Sequence, residues 1–321
     1  MTAGLKTSGK LPFSKVSVVI PVFNEAKVFD ELYQRLNASL LPIVDDVEYI
    51  FIDDGSTDDT ALKTQKLSET DPHVKGIELS RNFGQQAAVS AGLSFASGDA
   101  VVLMDADLQD PPETIARMLE RLTEGYDVVF ARRVNRKEGI AKRAAFKLFY
   151  RLLRASSKAR IPMDAGLFCA MNQAVADQMR AFGEKNRFLP GLRAWAGFRQ
   201  SAIDVERGER YDRQPRVSWR GLIRLAMDAV FSFSYLPLRI MTVLGLLAAI
   251  PSFLYMLFVL YAKVFTAQAI PGWASTLSAV LLLGGLQLIS LGIIGEYIGR
   301  IYDEVKNRPV FIVRRTHGFG R

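Results

Sequence analysis

Val101-Val102-Leu103-Met104-Asp105-Ala106-Asp107-Leu108-Gln109-Asp110-Pro111-Pro112 is the stretch on which the fold turns. The apolar run ending at Met104 reads as a buried strand. Asp105 and Asp107 follow it, and Pro111 and Pro112 allow a helix to begin. Alternate residues of a strand point to one face, so the two carboxylates are expected to converge just past a sheet edge. Such a pair can hold a divalent cation and leave positions open for phosphate oxygens. A solvated turn rich in Asp and Pro is the plain alternative, and the surrounding chain favours the first reading.

Upstream, Val16–Val22 is β-branched and apolar and reads as a buried strand, with Phe23, Asn24 and Glu25 at its carboxyl end. Val28, Phe29, Leu32, Tyr33, Leu36 and Leu40 recur at helical spacing. A second strand over Val47–Ile52 runs into Asp53-Asp54-Gly55-Ser56-Thr57-Asp58, where Gly55 suits a tight turn and the next three residues suit a helix cap. A third strand over Val74–Leu79 ends at Arg81-Asn82-Phe83-Gly84, and a helix is expected from Gln85 to Ala96. Asp127–Ala131 is a fifth strand. This alternation predicts an α/β fold with a mostly parallel, Rossmann-like sheet and right-handed crossovers. Ligands of such sheets sit beyond the carboxyl ends of the strands, where four polar clusters fall here. No G-x-G-x-x-G follows the first strand and no G-x-x-x-x-G-K-[ST] occurs, which argues against dinucleotide oxidoreductases and P-loop NTPases.

The chain has 321 residues and a net charge of +8, compatible with nucleic acid, anionic lipid or phosphorylated ligands. A single cysteine, Cys169, excludes an intrachain disulfide, and with only His73 and His317 beside it a Cys/His zinc cluster is not expected. Met1–Lys10 is polar and small and lacks the apolar core of a signal peptide, so export of the N-terminal domain is not expected.

The motifs at 18–25, 52–58, 81–85 and 105–112, in this order, resemble glycosyltransferase family 2, nearest to its polyprenyl-phosphate glycosyltransferases, including the bactoprenol glucosyltransferase and dolichol-phosphate mannose synthase groups. The resemblance implies a GT-A catalytic domain that binds a nucleotide-diphospho-sugar. It implies that Pro21, Val22 and Glu25 lie along the nucleoside, with Asp53 or Asp54 near the base or ribose. It further implies that Asp105, Ala106, Asp107 and Gln109 meet the diphosphate, with Asp105, Asp107 and Gln109 around Mg2+ or Mn2+. For Glu25 a helix-start carboxylate is the alternative.

From Arg132 to Arg160 eleven basic residues interleave with apolar ones such as Phe146, Phe149 and Leu153. A basic amphipathic helix suits an anionic membrane surface, and a solvated helix face is the alternative. Nucleic acid is the runner-up partner but has no motif here and is not expected. Asp164, in Met163-Asp164-Ala165-Gly166, resembles the family's Asp-x-Gly segment near the reacting centre, as a base or an orienting carboxylate. The segments at 186–192 and 195–198 resemble the acceptor side. Arg133, Arg210 and Arg216 are candidates for cradling an acceptor phosphate, since guanidinium binds it bidentately. At 213, 215 and 217 the chain departs from the related Arg-x-x-Gly-x-Ser-Lys-Tyr pattern.

Trp219–Phe233 reads as an amphipathic interfacial helix broken by Pro237. Two apolar runs, about 240–261 and 276–296, each approach the roughly 20 residues that cross a bilayer. Arginines and lysines flank the pair and the link carries only Lys263, so both ends are expected in the cytoplasm. The expected organisation is a cytoplasmic catalytic domain over 1–218, an interfacial helix over 219–237, a two-helix transmembrane hairpin over 238–300 and a cytoplasmic tail over 301–321.

Gly-Glu-Tyr-Ile-Gly-Arg-Ile-Tyr at 295–302 also resembles the tail of the bactoprenol glucosyltransferase group. The resemblance thus implies an inverting, membrane-anchored glycosyltransferase that moves a sugar, from a UDP-sugar, to undecaprenyl or another polyprenyl phosphate. The setting implied is a bacterial inner membrane, spanned more than once, with the catalytic domain cytoplasmic. The family likeness also implies a homo-oligomer, a tetramer. A processive polysaccharide synthase is the second hypothesis, and it lacks its Gln-x-x-Arg-Trp motif here. A non-catalytic anchor that binds lipid or protein is the third.

Overall fold

The computed structural model describes residues 10–134, 165–185, 187–206, 236–265 and 272–320. In chain order the elements are β1 (Val16–Val22), α1 (Phe29–Leu40), β2 (Val47–Asp53), α2 (Thr60–Thr70), β3 (Val74–Leu79), α3 (Gln85–Phe95), β4 (Ala100–Leu103), α4 (Thr114–Thr123) and β5 (Val128–Val134). They continue with β6 (Ala165–Asn172), α5 (Gln173–Ala181), α6 (Leu189–Trp195), β7 (Gln200–Glu206), α7 (Leu236–Phe265), α8 (Trp273–Val305) and β8 (Val313–His317).

Among the described residues the strands form one eight-stranded sheet in the order β7-β5-β6-β4-β1-β2-β3-β8. β4, β1, β2 and β3 are mutually parallel, and β5 is parallel to β7. β6 runs antiparallel between β4 and β5, and β8 runs antiparallel along β3. This is the mostly parallel α/β sheet that the alternating pattern predicts. β6, β7 and β8 are strands that the sequence reading does not include.

The sheet forms because its central strands are apolar over most of their length. All seven residues of β2 are buried, as strands covered on both faces require. On one face α1 and α4 contribute Phe29, Leu32, Leu36, Ile115, Met118 and Leu119 to a continuous core with Val18, Ile20, Tyr49 and Phe51. Their apolar residues recur at helical spacing, so one stripe of each helix is buried. On the other face α3 lies very close to the strands. A Cβ built at Gly92 would sit 2.4 Å from Val19 Cγ1 and 2.6 Å from Ile52 Cδ1, so only glycine permits this approach.

The chain divides into two compact units. The sheet unit includes the C-terminal residues 309–321, read from the sequence as a tail beyond the hairpin. Their strand, β8, covers the outer edge of β3, with His317 opposite Gly76 and Thr316 opposite Ile77. His317 Nε2 lies 2.8 Å from Glu78 Oε1, and the Phe319 ring packs on Phe95 at 5.0 Å.

The second unit holds α7 and α8, which pack against each other. Each contains a segment long and apolar enough to cross a membrane, Ile240–Val259 and Leu282–Val305, and neither segment is buried in protein. A core helix of a soluble domain would be covered, so the two exposed apolar segments are candidate membrane spans. The second helix begins at Trp273 and continues past the expected run to Val305. Pro237 sits in the first turn of α7, where its missing N–H leaves no helical bond unmade. The interfacial helix expected over 219–237 falls outside the described residues except for its last two positions.

Candidate active site

Because β1 to β4 are parallel, the loops that leave their carboxyl ends share one edge of the sheet. Hydrogen bonds tie these loops together in sequence. After β1 the chain turns at Asn24, whose φ is 55°. Asn24 N–H donates to Ser56 Oγ at 2.9 Å, and Asn24 Oδ1 accepts the Thr57 N–H at 2.8 Å. Glu25 N–H donates to Thr60 Oγ1 at 3.0 Å and Ala26 N–H to Asp58 Oδ2 at 3.2 Å. The loop after β1 is thereby fastened to the loop after β2.

Asp53 and Asp54 end β2 and are both buried. Asp53 accepts the Ser56 N–H and closes its own turn. Asp54 reaches the next loop, accepting Phe83 N–H at 2.7 Å and Gly84 N–H at 2.8 Å. Burial pushes both carboxyls above their ordinary value, and the hydrogen bonds only partly offset it. The family resemblance implies that one of the pair lies near a base or ribose. In the structure each carboxylate holds backbone N–H groups of the loops that border the edge. An Asp-Asp-Gly turn carries that loop-closing role in its composition.

The loop after β4 keeps the two-residue alternation that the sequence suggested, although β4 itself ends at Leu103. Met104, Ala106 and Leu108 are buried, while Asp105, Asp107 and Gln109 are each half-buried. Gln109 N–H donates to Asp107 Oδ1 at 3.2 Å, and Leu108 adopts a φ of 57°. Gln85, at the head of α3, donates from Nε2 to Asp105 Oδ1 at 2.5 Å. Gln85 appears in the third motif but was given no role there, and only the fold brings it to Asp105.

Pro21 is half-buried and Val22 is part of the core, so Glu25 and the turn around it are what the first strand presents at the edge. Arg133 lies at the end of β5 opposite Val205. Its neighbour Arg132 makes a bidentate pair with Asp204, Nε to Oδ1 at 2.6 Å and Nη2 to Oδ2 at 3.0 Å, which holds the Asp204 carboxyl below its usual range. Asp164, Arg210, Arg216 and the basic stretch 135–160 lie outside the described residues. β6 begins at Ala165, paired with Arg132. The buried Arg193 donates from Nη2 to the Gly166 carbonyl at 3.4 Å and faces the Phe130 ring.

Asp105, Asp107 and Gln109 fit a hard divalent cation. They are two half-buried carboxylates and an amide on alternate residues, the oxygen donors that such cations take. Among the described residues no group of three or more His, Cys, Asp or Glu side chains is placed to hold a metal ion by itself.

Residues 17–180 match the glycosyl transferase family 2 model, and residues 236–301 match the GtrB C-terminal hairpin. An uncharacterized glycosyltransferase of Bacillus subtilis (strain 168) is 44% identical over 303 residues, 94% of each chain. A bactoprenol glucosyl transferase of Shigella phage SfII is 39% identical over 306 residues, 94% of this chain and 98% of that one. A prophage bactoprenol glucosyl transferase homolog of Escherichia coli (strain K12) is 36% identical, over 94% and 99%. Among solved structures, glucosyl-3-phosphoglycerate synthase from Mycobacterium tuberculosis aligns over 68% of this chain and 77% of its own. That alignment has a TM-score of 0.47 and 16% identity. The acidic sheet edge and the apolar hairpin therefore belong to one enzyme, a glycosyltransferase of family 2 with a GT-A-like catalytic domain.

Proposed function

We propose that this enzyme transfers a sugar from a nucleotide-diphospho-sugar, a UDP-sugar, to undecaprenyl or another polyprenyl phosphate at the membrane surface. The observation that carries the reading is the union, in one chain, of the tied acidic loops with two membrane-length apolar helices, matched over 94% of its length by enzymes named for bactoprenol.

In this reading an oxygen of the lipid phosphate forms a bond to the anomeric carbon. The bond from that carbon to the donor's β-phosphate oxygen breaks, and the nucleoside diphosphate leaves with the electron pair. Attack from the opposite face inverts the configuration. A phosphate monoester has a second pKa of about 6, so the nucleophile is already largely dianionic at neutral pH. Asp164 then orients the acceptor more than it removes a proton. Arg133, Arg210 and Arg216 cradle the acceptor phosphate. Pro21, Val22 and Glu25 line the nucleoside, and Asp53 and Asp54 hold the loops around it. Asp105, Asp107 and Gln109 hold Mg2+ or Mn2+ beside the diphosphate. Once bound, the cation offsets the charge that grows on the departing group.

The apolar helices serve the chemistry by keeping the enzyme on the surface that its acceptor cannot leave, which raises the effective concentration of that acceptor. In this reading both helices span a bacterial inner membrane and the catalytic domain is cytoplasmic, an orientation that the flanking arginines and lysines favour. A homotetramer is the assembly proposed from the family likeness.

The test offers the purified protein a panel of nucleotide sugars with undecaprenyl phosphate, with and without Mg2+. Formation of one lipid-linked sugar, dependent on the cation, is the expected result. Transfer only to a water-soluble acceptor, or growth of a polymer, would sink the proposal.

A further inference from the structure

Gln85 opens α3 directly after the loop Arg81–Gly84, and its side chain lies exposed at the carboxyl edge of the sheet. Its Nε2 donates to Asp105 Oδ1 at 2.5 Å. The adjacent Gln86 serves another purpose. Its Oε1 accepts the Leu189 N–H at the head of α6, at 3.2 Å. Two neighbouring glutamines on one helical turn thus reach in different directions, one to an acidic loop and one to a packing contact.

The geometry points to Gln85 as the positioning residue that sets the Asp105 carboxylate for cation binding. This role rests on the reading of Asp105, Asp107 and Gln109 as the cation site. A carboxylate on a loop turns about its side-chain torsions, and each turn lost on binding weakens the site. An N–H donor on Oδ1 restrains the plane of the group, as an outer partner of a metal ligand does. The donor is a neutral amide. A lysine or arginine in its place would satisfy the same oxygen and repel the incoming cation.

The support behind Gln85 is rigid. Asp54 grips the two residues that precede it, Phe83 and Gly84, through their N–H groups at 2.7 and 2.8 Å. A line of hydrogen bonds therefore runs from the end of β2, through the head of α3, to the loop after β4. Because Gln85 acts through Asp105, its loss is expected to fall on cation affinity and on the KM of the nucleotide sugar, more than on kcat.

The experiment titrates Mn2+ into full-length protein in detergent, alone and with uridine diphosphate, and follows loss of the free Mn2+ resonance. Gln85→Ala is expected to raise the Mn2+ Kd about tenfold, the usual scale for a group that orients a metal ligand. Gln86→Ala, on the same turn, is expected to leave that Kd unchanged while lowering the melting temperature. A wild-type Mn2+ affinity in Gln85→Ala overturns the role, and so does equal weakening in Gln86→Ala, which would report a loosened helix end. If Asp105→Asn abolishes uptake and Gln85→Ala leaves it intact, the role alone fails. If the wild type takes up no Mn2+ in either condition, the site reading and this role fall together.

Discussion

Asp54 Oδ2 accepts the backbone N–H of Gly84 at 2.8 Å, joining the end of the second strand to the turn that starts the third helix. Its other oxygen holds Phe83 N–H. Asp54→Ala leaves both N–H groups without their charged acceptor, a loss of roughly 2–3 kcal/mol. The expected outcome is a lower melting temperature and a fall in kcat/KM on the order of a hundredfold, because Gln85 and Asp105 follow the displaced loop. Thermal unfolding and steady-state kinetics on the same preparation check it. An unchanged kcat/KM would refute the loop-holding role.

Gly55 is the partner of that turn. Its φ is +73°, and a Cβ there would lie 2.8 Å from both Arg81 C and Asn82 N. The neighbours are backbone and cannot swing aside. Gly55→Ala is expected to destabilise the sheet unit by roughly 2–4 kcal/mol, the sum of left-handed backbone strain and overpacking. The loss should appear as a lower melting temperature.

Asp107→Asn keeps the shape of the loop and removes one carboxylate from the candidate cation site. Transfer is expected to be lost while sedimentation with membranes is unaffected, since α7 and α8 are untouched. Retained transfer at full rate would leave the cation site without support.

Glu48 supplies a dependence on acid. It is buried and accepts Ser17 Oγ–H at 2.5 Å and Ser97 N–H at 2.7 Å, with Lys75 bound to its other oxygen. Burial alone would raise its pKa. The bonds from Lys75, Ser17 and Ser97 prevail and lower it from 4.5 to about 2. A carboxyl depressed on folding stabilises the protein fully above its unfolded value. That stability fades as the pH falls from about 4.5 towards 2. Glu48→Gln is expected to lower stability near neutral pH by roughly 3 kcal/mol and to flatten the acid limb between those values. Melting temperature against pH for the two proteins is the measurement.

Deleting residues 309–321 removes β8 and bares the edge of β3. An uncovered edge strand pairs with other chains. The truncated protein is expected to aggregate in detergent on size-exclusion chromatography, and His317→Ala, which removes only the bond to Glu78, to remain dispersed.

What was legible in the sequence follows from interactions between near neighbours in the chain. Val16–Val22, Val47–Asp53 and Ala100–Leu103 are apolar enough to declare buried strands, and the polar residues that follow them had to share one edge once those strands were parallel. The apolar lengths of α7 and α8 likewise declare themselves as candidate membrane spans, because length and composition are properties of the local sequence. The tertiary structure alone decided which partner each polar group meets. Val313–His317 is too charged to announce a strand, and it becomes one because β3 offers an open row of N–H and C=O groups. Asp54 holds the backbone of the loop at 83–84, and Gln85 rests on Asp105, 20 residues away in the chain. Periodicity is set by backbone geometry within one element. A hydrogen bond between loops is set by how several elements pack, and no local pattern encodes that.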